Sequence, residues 1–168
     1  MSKVYPYIGP HDLLRLLAQP SDRMRVLGLD DLARWLGIGQ RWARPRAVTS
    51  TYIVDTAGHL WLADRHSEHV ACAGGRDVLA AGEVTFAIEG QQIGVAEITN
   101  QSTGYCPALE CWPVVAAALD GIGVARPPGF TASFIFRRCG ACGAVNIVKD
   151  GIFECAVCEA ALRRDGEE

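Results

Sequence analysis

Two short cysteine pairs constrain this chain more than any other feature. Two residues separate Cys139 from Cys142, two separate Cys155 from Cys158, and twelve lie between the pairs. Each C-x2-C turn is tight enough to place two sulfurs on one ion, and two pairs at this separation read as a zinc ribbon. Four thiolates around a tetrahedral ion leave no open position for water or substrate. The expected cofactor is therefore one structural Zn2+ held by Cys139, Cys142, Cys155 and Cys158. The stretch between the pairs agrees. Asp150-Gly151 is a favoured two-residue turn flanked by Ile147, Val148, Ile152 and Phe153, so a hairpin returns the chain to the second pair. Gly140 and Gly143 are expected to relieve the first knuckle.

The remaining cysteines, Cys72, Cys106 and Cys111, are an odd set and a poor disulfide framework. Reduced thiols, an N-terminus without a leader pattern, and no apolar run of membrane length lead to an expected cytoplasmic location and no membrane partner. The net charge is −3. A protein that holds duplex nucleic acid through its phosphates ordinarily carries a basic excess, so the chain as a whole does not fit that class. Arg137, Arg138, Lys149, Arg163 and Arg164 still form a local basic group beside Phe134, Phe136 and Phe153, which leaves the ribbon as the place where nucleic acid would bind. The acidic end, Asp165-Gly166-Glu167-Glu168, works against that reading.

Upstream of the ribbon the hydrophobic period changes once. Residues 1–47 read as a helical segment. Leu13, Leu14, Leu16 and Leu17 follow Pro10, and Leu29, Leu32, Ala33 and Leu36 recur at helical spacing with Asp30 or Asp31 as a cap. Trp35 and Trp42 are expected over the core, and Arg41 to Arg46 as a linker or exposed loop. From Val48 the pattern is β-like. Residues 48–55 and 59–64 flank a short Thr-Ala-Gly turn, and residues 83–100 alternate about Glu89-Gly90, giving two expected hairpins. A helix follows around Trp112 to Asp120, with Pro113 in its first turn and Gly121 or Gly123 at its end. Residues 131–138 form another strand. The expected fold class is α+β: N-terminal helices, a small twisted antiparallel sheet with one packed helix (48–130), and the ribbon (131–168).

Three polar clusters fall at ends of these β elements, where binding sites are commonly built. One is Arg65-His66-Ser67-Glu68-His69, ahead of Gly74-Gly75. The second is Val78-Leu79-Ala80-Ala81-Gly82-Glu83. The third runs from Asn100 through Ser102-Thr103-Gly104-Tyr105-Cys106-Pro107. Together they resemble a domain shared by plant IQ-motif calmodulin-binding proteins and bacterial proteins of polymorphic-toxin type. That domain runs strand, HSS-like residues, glycine pair, AGE or AGR, hairpin, SGHYxP, and a helix ending in glycine. The resemblance covers roughly residues 48–123 and implies this element order. Two departures stand out: Glu68 replaces the second serine, and Gly104 replaces the histidine. The ribbon lies outside the resemblance.

The candidate ligand-binding set is His66, Ser67, Glu68, His69, Glu83, Asn100, Ser102 and Tyr105. The leading reading is a binding or regulatory module for a protein partner or small ligand. An enzyme of the toxin-like type is the alternative, ADP-ribosyltransferase-like or another group transfer or hydrolysis. Glu68 or Glu83 would act as base, His66 or His69 as acid, and Ser102 or Tyr105 would orient the substrate. His66-Ser67-Glu68 also matches the H-x-E of zinc deaminases, but Cys106 and Cys111 have the wrong spacing for the second half of that signature. A second metal at His69, Cys72 and Cys106 is a further scheme. Against all of these stands the plainer expectation that the three odd cysteines are small buried hydrophobes.

Overall fold

The computed structural model describes residues 2–39 and 46–164. Nearly all of the loop expected after Arg41, residues 41–45, and with it the expected core position of Trp42, lies outside the described residues. The expected α+β class is what the chain adopts. Strands β1 (Met24–Val26), β2 (Ala47–Val54), β3 (Leu60–Asp64), β4 (Ala80–Glu89) and β5 (Gln92–Ile98) form one antiparallel sheet in the order β1-β3-β2-β4-β5. Helices are α1 (Leu29–Trp35), the single turn α2 (His69–Cys72) and α3 (Trp112–Ile122). Strands β6 (Ile135–Arg138) and β7 (Val145–Val148) make a separate two-stranded sheet in the ribbon.

Both expected hairpins form. In the first, Asp55 closes the turn with its carboxylate: Oδ1 accepts from the amides of Ala57 at 3.0 Å and His59 at 2.9 Å, and Oδ2 from the Trp61 indole at 2.8 Å. In the second, Glu89 pairs with Gln92 across a two-residue turn, and the register shifts at Thr85/Phe86. That shift is a bulge, which strengthens the local twist.

The N-terminal segment differs from its helical expectation. His11–Ala18 is a 3-10 helix, and Met24–Val26 is an edge strand paired with Leu60–Leu62. Three residues are too few to show a period, so tertiary pairing decides their conformation. Asp31 does not cap α1 from the N-cap position, which Gly28 occupies; it reaches back from the third helical position to the Leu27 amide at 2.9 Å.

Strand alternation gives the sheet two faces. Tyr52, Val54, Leu60, Leu62, Val84 and Phe86 share one face and are all buried. Helix α3 packs there with Val115, Leu119 and Ile122, and α1 joins them through Leu32 and a Trp35 indole bond to Ser50 Oγ at 3.0 Å. Pro113 sits in the first turn of α3, and Gly123, left-handed at φ 88°, ends it. Thr51, Ile53, Trp61 and Glu83 alternate to the opposite face. Helix α2 covers that side, and Arg23 bridges it by stacking 4.3 Å from the Trp61 ring and bonding the Cys72 carbonyl. The β3–α2 loop, which carries His66 to Glu68, is held at the same end: Thr51 Oγ1 donates toward the carbonyls of Arg65 and Ser67. No helix among the described residues is long and apolar enough to cross a membrane.

Candidate functional site

The four ribbon cysteines converge. Their sulfurs all lie within 4.8 Å of one another, with Cys139–Cys158 at 3.5 Å and Cys142–Cys155 at 3.6 Å. Metal–sulfur bonds of about 2.3 Å in a tetrahedron need sulfurs about 3.8 Å apart, so the donor set fits a thiolate-bound ion of zinc size. Cys139 and Cys155 are buried, while Cys142 and Cys158 are exposed.

The two knuckles are near copies of each other. In the first, the Cys139 amide donates to Ala144 O at 2.8 Å, Gly143 N to Cys139 O at 2.9 Å, and Ala141 N to Cys139 Sγ at 3.4 Å. In the second, the Cys155 amide donates to Ala160 O at 2.8 Å, Glu159 N to Cys155 O at 2.9 Å, and Val157 N to Cys155 Sγ at 3.4 Å. The fourth residue after each leading cysteine takes a left-handed backbone. Gly143 does so freely at φ 77°, whereas Glu159 does so at φ 64° with a side chain, at a cost of about 1–2 kcal/mol. Gly140, by contrast, has no left-handed backbone and an empty Cβ position, so the first knuckle does not require it. The hairpin between the knuckles turns at Asp150 (φ 54°) and Gly151 (φ 68°), the two positive values a type I′ turn requires.

Asn146 ties hairpin to knuckle, and nothing in the sequence pattern marks it. It is buried in β7. Its Oδ1 accepts from Ala156 N at 2.9 Å, and its Nδ2 donates to Cys155 Sγ at 3.4 Å. The amides of Cys158 and Val157, with Asn146 behind them, draw the Cys155 thiol down to about 6. Such donors favour the thiolate that a metal needs.

The structure divides the upstream set. His66, Ser67 and Glu68 line an open cleft of about 550 Å³ whose other wall is the 3-10 helix and the turn after it, including Leu13, Arg15, Leu16 and Asp22. His66 and Glu68 are exposed. His69 does not line the cleft; its Nε2 meets the Gly82 carbonyl at 2.8 Å. A carbonyl only accepts, so Nε2 carries the proton. Burial lowers the His69 pKa from 6.5, against the Gly82 bond and the nearby carboxylates of Glu83 and Glu68. Glu83, half-buried on β4, thus joins Glu68 in the field around this imidazole.

Of the last three candidates, Asn100 and Tyr105 are spent in the fold, while Ser102 is buried with its hydroxyl unpartnered among the described residues. Asn100 is fully buried; Nδ2 donates to Pro107 O at 3.0 Å and Phe134 O at 2.8 Å, and Oδ1 accepts from Phe134 N at 2.8 Å. It clamps the segment entering the ribbon to the end of β5. Tyr105 is buried edge-on to Tyr7, and its hydroxyl donates to Arg76 O at 2.7 Å. Ser102 is buried with no side-chain partner among the described residues, and its carbonyl takes the Cys106 amide. Such residues look alike in sequence whether they face a ligand or satisfy backbone. The Gly104 departure also has a structural counterpart: a Cβ there would stand 3.0 Å from the Tyr7 ring, which fills the space a larger side chain would need.

Among the described residues, no other three or more His, Cys, Asp or Glu side chains converge as metal ligands do. The second-metal and deaminase schemes therefore have no geometric support. Cys72 is buried, its thiol raised by burial to about 12, and Cys111 likewise to about 12. Cys106 is half-buried in a left-handed backbone at φ 49°. No family model, curated protein or solved structure matches the chain.

Two outcomes follow from these bonds. Asn100→Ala strips partners from the Phe134 amide and the Phe134 and Pro107 carbonyls, and is expected to lower stability by about 3 kcal/mol in denaturant unfolding. Asn100→Asp, which keeps the acceptor for Phe134 N but replaces the donor with a carboxylate, is expected to be no better. His69 gives a pH signature. The unfolded chain protonates this imidazole near pH 6.5, and the folded chain only at lower pH. Stability therefore falls as pH drops below about 6.5 and levels off once the lowered folded value is passed; above 6.5 both states are neutral and the contribution vanishes. His69→Gln is expected to remove that part of the slope in urea titrations between pH 7 and 5.

Proposed function

We propose that the chain is a zinc-binding module of the cytoplasm that works by binding rather than by catalysis. In this reading the ribbon holds one structural Zn2+, and the cleft at His66, Ser67 and Glu68 receives a protein partner or small ligand. The observation that carries it is the division of the candidate set. The exposed polar members share one open cleft, with Leu13, Leu16 and Ala71 as apolar lining, while Asn100 and Tyr105 are consumed by the fold. Most of the lining is polar: Arg15, Gln19, Ser21 and Asp22 face the cleft along with His66, Ser67 and Glu68, which suits a polar ligand or a polar protein surface. Zinc is chosen over other metals because four thiolates in a tetrahedral set favour it, and the cytoplasm because it keeps such thiols reduced.

Glu68 would supply the negative anchor of this cleft. A catalytic role for the same residues finds less support. The His69 Nε2 proton is engaged by the Gly82 carbonyl at 2.8 Å, which leaves that nitrogen unable to act as a base. Glu68→Gln separates the two readings: an enzyme loses turnover with its stability intact, and a binding module has no turnover to lose.

The test is a thermal-shift screen of the metal-loaded chain against small amines, carboxylates and nucleotides, with Glu68→Ala and Ser67→Trp as cleft variants. A ligand at one hundred times its Kd adds about 2.7 kcal/mol, a rise of roughly 5–10 °C for a chain of this size. A rise in the wild type that both variants abolish supports the cleft. A rise that survives in both variants contradicts it.

A further inference from the structure

The outer face of the ribbon hairpin is apolar and cationic, with Arg138, Val145 and Lys149 exposed and Phe136 and Ile147 half-buried. The pairings Phe136–Ile147 and Arg138–Val145 put these four side chains on one face of β6–β7, and alternation places Lys149 on the same face. Neither hydrophobic core takes up Phe136, Val145 or Ile147. The opposite face is the covered one: it carries Asn146 and Val148, which pack toward the knuckles. Arg138 and Lys149 stand at the two ends of the open face, roughly 13 Å apart at about 3.3 Å per residue. None of the five residues is acidic. Beside this face, Phe136 and Phe134 line one cavity of about 240 Å³ together with Lys3, Arg137 and Glu110.

We infer that this face binds single-stranded nucleic acid. Charge complementarity and the aromatic rings argue for it together. Single strands are held by cations that follow the backbone and by aromatic rings on which bases stack, and stacking is worth about 1–3 kcal/mol per base. Arg138 gives one N–H to the Gly143 carbonyl at 2.8 Å and keeps its charge; an acidic peptide would pair with it and with Lys149 but would leave Phe134 and Phe136 without a role. A duplex is ordinarily held by a basic excess, and the net charge here is −3. The ribbon between 135 and 164 has five basic and three acidic side chains. Four thiolates on a divalent ion add two negative charges and bring this part to zero, and Asp165, Glu167 and Glu168 make the ribbon as a whole acidic, so the attraction rests on the local face that carries Arg138 and Lys149. A short strand lying across one aromatic face is what such a balance permits. This surface is separate from the His66–Glu68 cleft, and its failure would leave that reading untouched.

The experiment is fluorescence anisotropy of the full, zinc-loaded chain with labelled dT12 and, in a second arm, rU12, at about 50 mM salt. Binding is expected, with Phe136→Ala and Lys149→Glu each weakening it about tenfold while metal content and circular dichroism stay unchanged. Neither side chain contacts the knuckles, so both variants should fold. A stronger signal with one oligonucleotide identifies DNA or RNA as the occupant. The inference is overturned if neither oligonucleotide binds, if both variants bind as the wild type does, or if polyglutamate displaces the strand as well as unlabelled dT12 does.

Discussion

Removing the metal will unfold the ribbon and leave the five-stranded sheet standing. Residues 135–164 bury little of their own: the ribbon core is Cys139, Cys155 and Leu162, with Ala144, Val148, Phe153 and Ala160 half-buried around it. Two of those three buried residues belong to the four-sulfur cluster that could hold a metal. A core this small cannot offset the conformational entropy of about thirty residues. On the zinc reading proposed above, the ion supplies the difference, and structural zinc sites contribute about 10–16 kcal/mol apparent. The main core is built from Tyr52, Phe86, Leu119 and their neighbours and includes no ligand. On adding a strong chelator, or in Cys155→Ser, the amide resonances of residues 139–164 are expected to collapse to random-coil positions while those of β2, β4 and α3 keep their dispersion. Loss of both sets at once would show that the ribbon and the sheet fold as one unit.

Gly82→Ala is expected to be the most damaging single substitution in the sheet. A Cβ at this position would collide with the Thr99 carbonyl and stand 3.0 Å from the Tyr52 ring. The crowding is built into the fold. The Tyr52 hydroxyl donates to that same Thr99 carbonyl at 2.7 Å, Thr99 N donates to Glu83 O at 2.9 Å, and Glu83 N donates to Thr99 Oγ1 at 3.2 Å. Thr99, held through its carbonyl, its amide and its side-chain oxygen, resists retreat. The added methyl must break these bonds as well as overpack, at an expected cost of about 3 kcal/mol or more. Against a total stability of about 5–15 kcal/mol, much of the folded population is at risk. Gly121→Ala is the control. It lies in α3 with nothing within 4 Å of the new Cβ, and alanine there is expected to stabilise by up to about 1 kcal/mol. Melting temperatures of the two variants measured side by side decide the matter; equal values would refute the packing argument.

The ribbon and Gly82 show where the sequence speaks plainly and where it does not. The cysteine spacing and the Asp150-Gly151 turn are local signals with one chemical meaning, and the hairpin and four-sulfur cluster follow directly. The β hairpins and α3 were legible for the same reason: alternation, short turns, and proline and glycine at opposite ends of the helix. The AGE motif was visible, but its purpose was not. That Gly82 serves a close approach by Thr99 depends on a contact seventeen residues along the chain. Edge strand β1 was hidden because Met24–Val26 pairs with β3, and no three-residue pattern reveals a distant partner. Among the candidate ligand residues, sequence could not separate Glu68, which is exposed in a cleft, from Asn100, which is locked around Phe134. Polar residues at strand ends serve ligands and backbone alike, and only the fold distinguishes the two.

The central claim is one closed metal site in the ribbon and none around His69. Elemental analysis of the chain purified without added metal tests it most directly. One zinc per chain is the expected result, unchanged in His69→Ala and lost in Cys155→Ser. Two equivalents that fall to one in His69→Ala would place a second ion beside Glu68 and make a hydrolytic enzyme the better account.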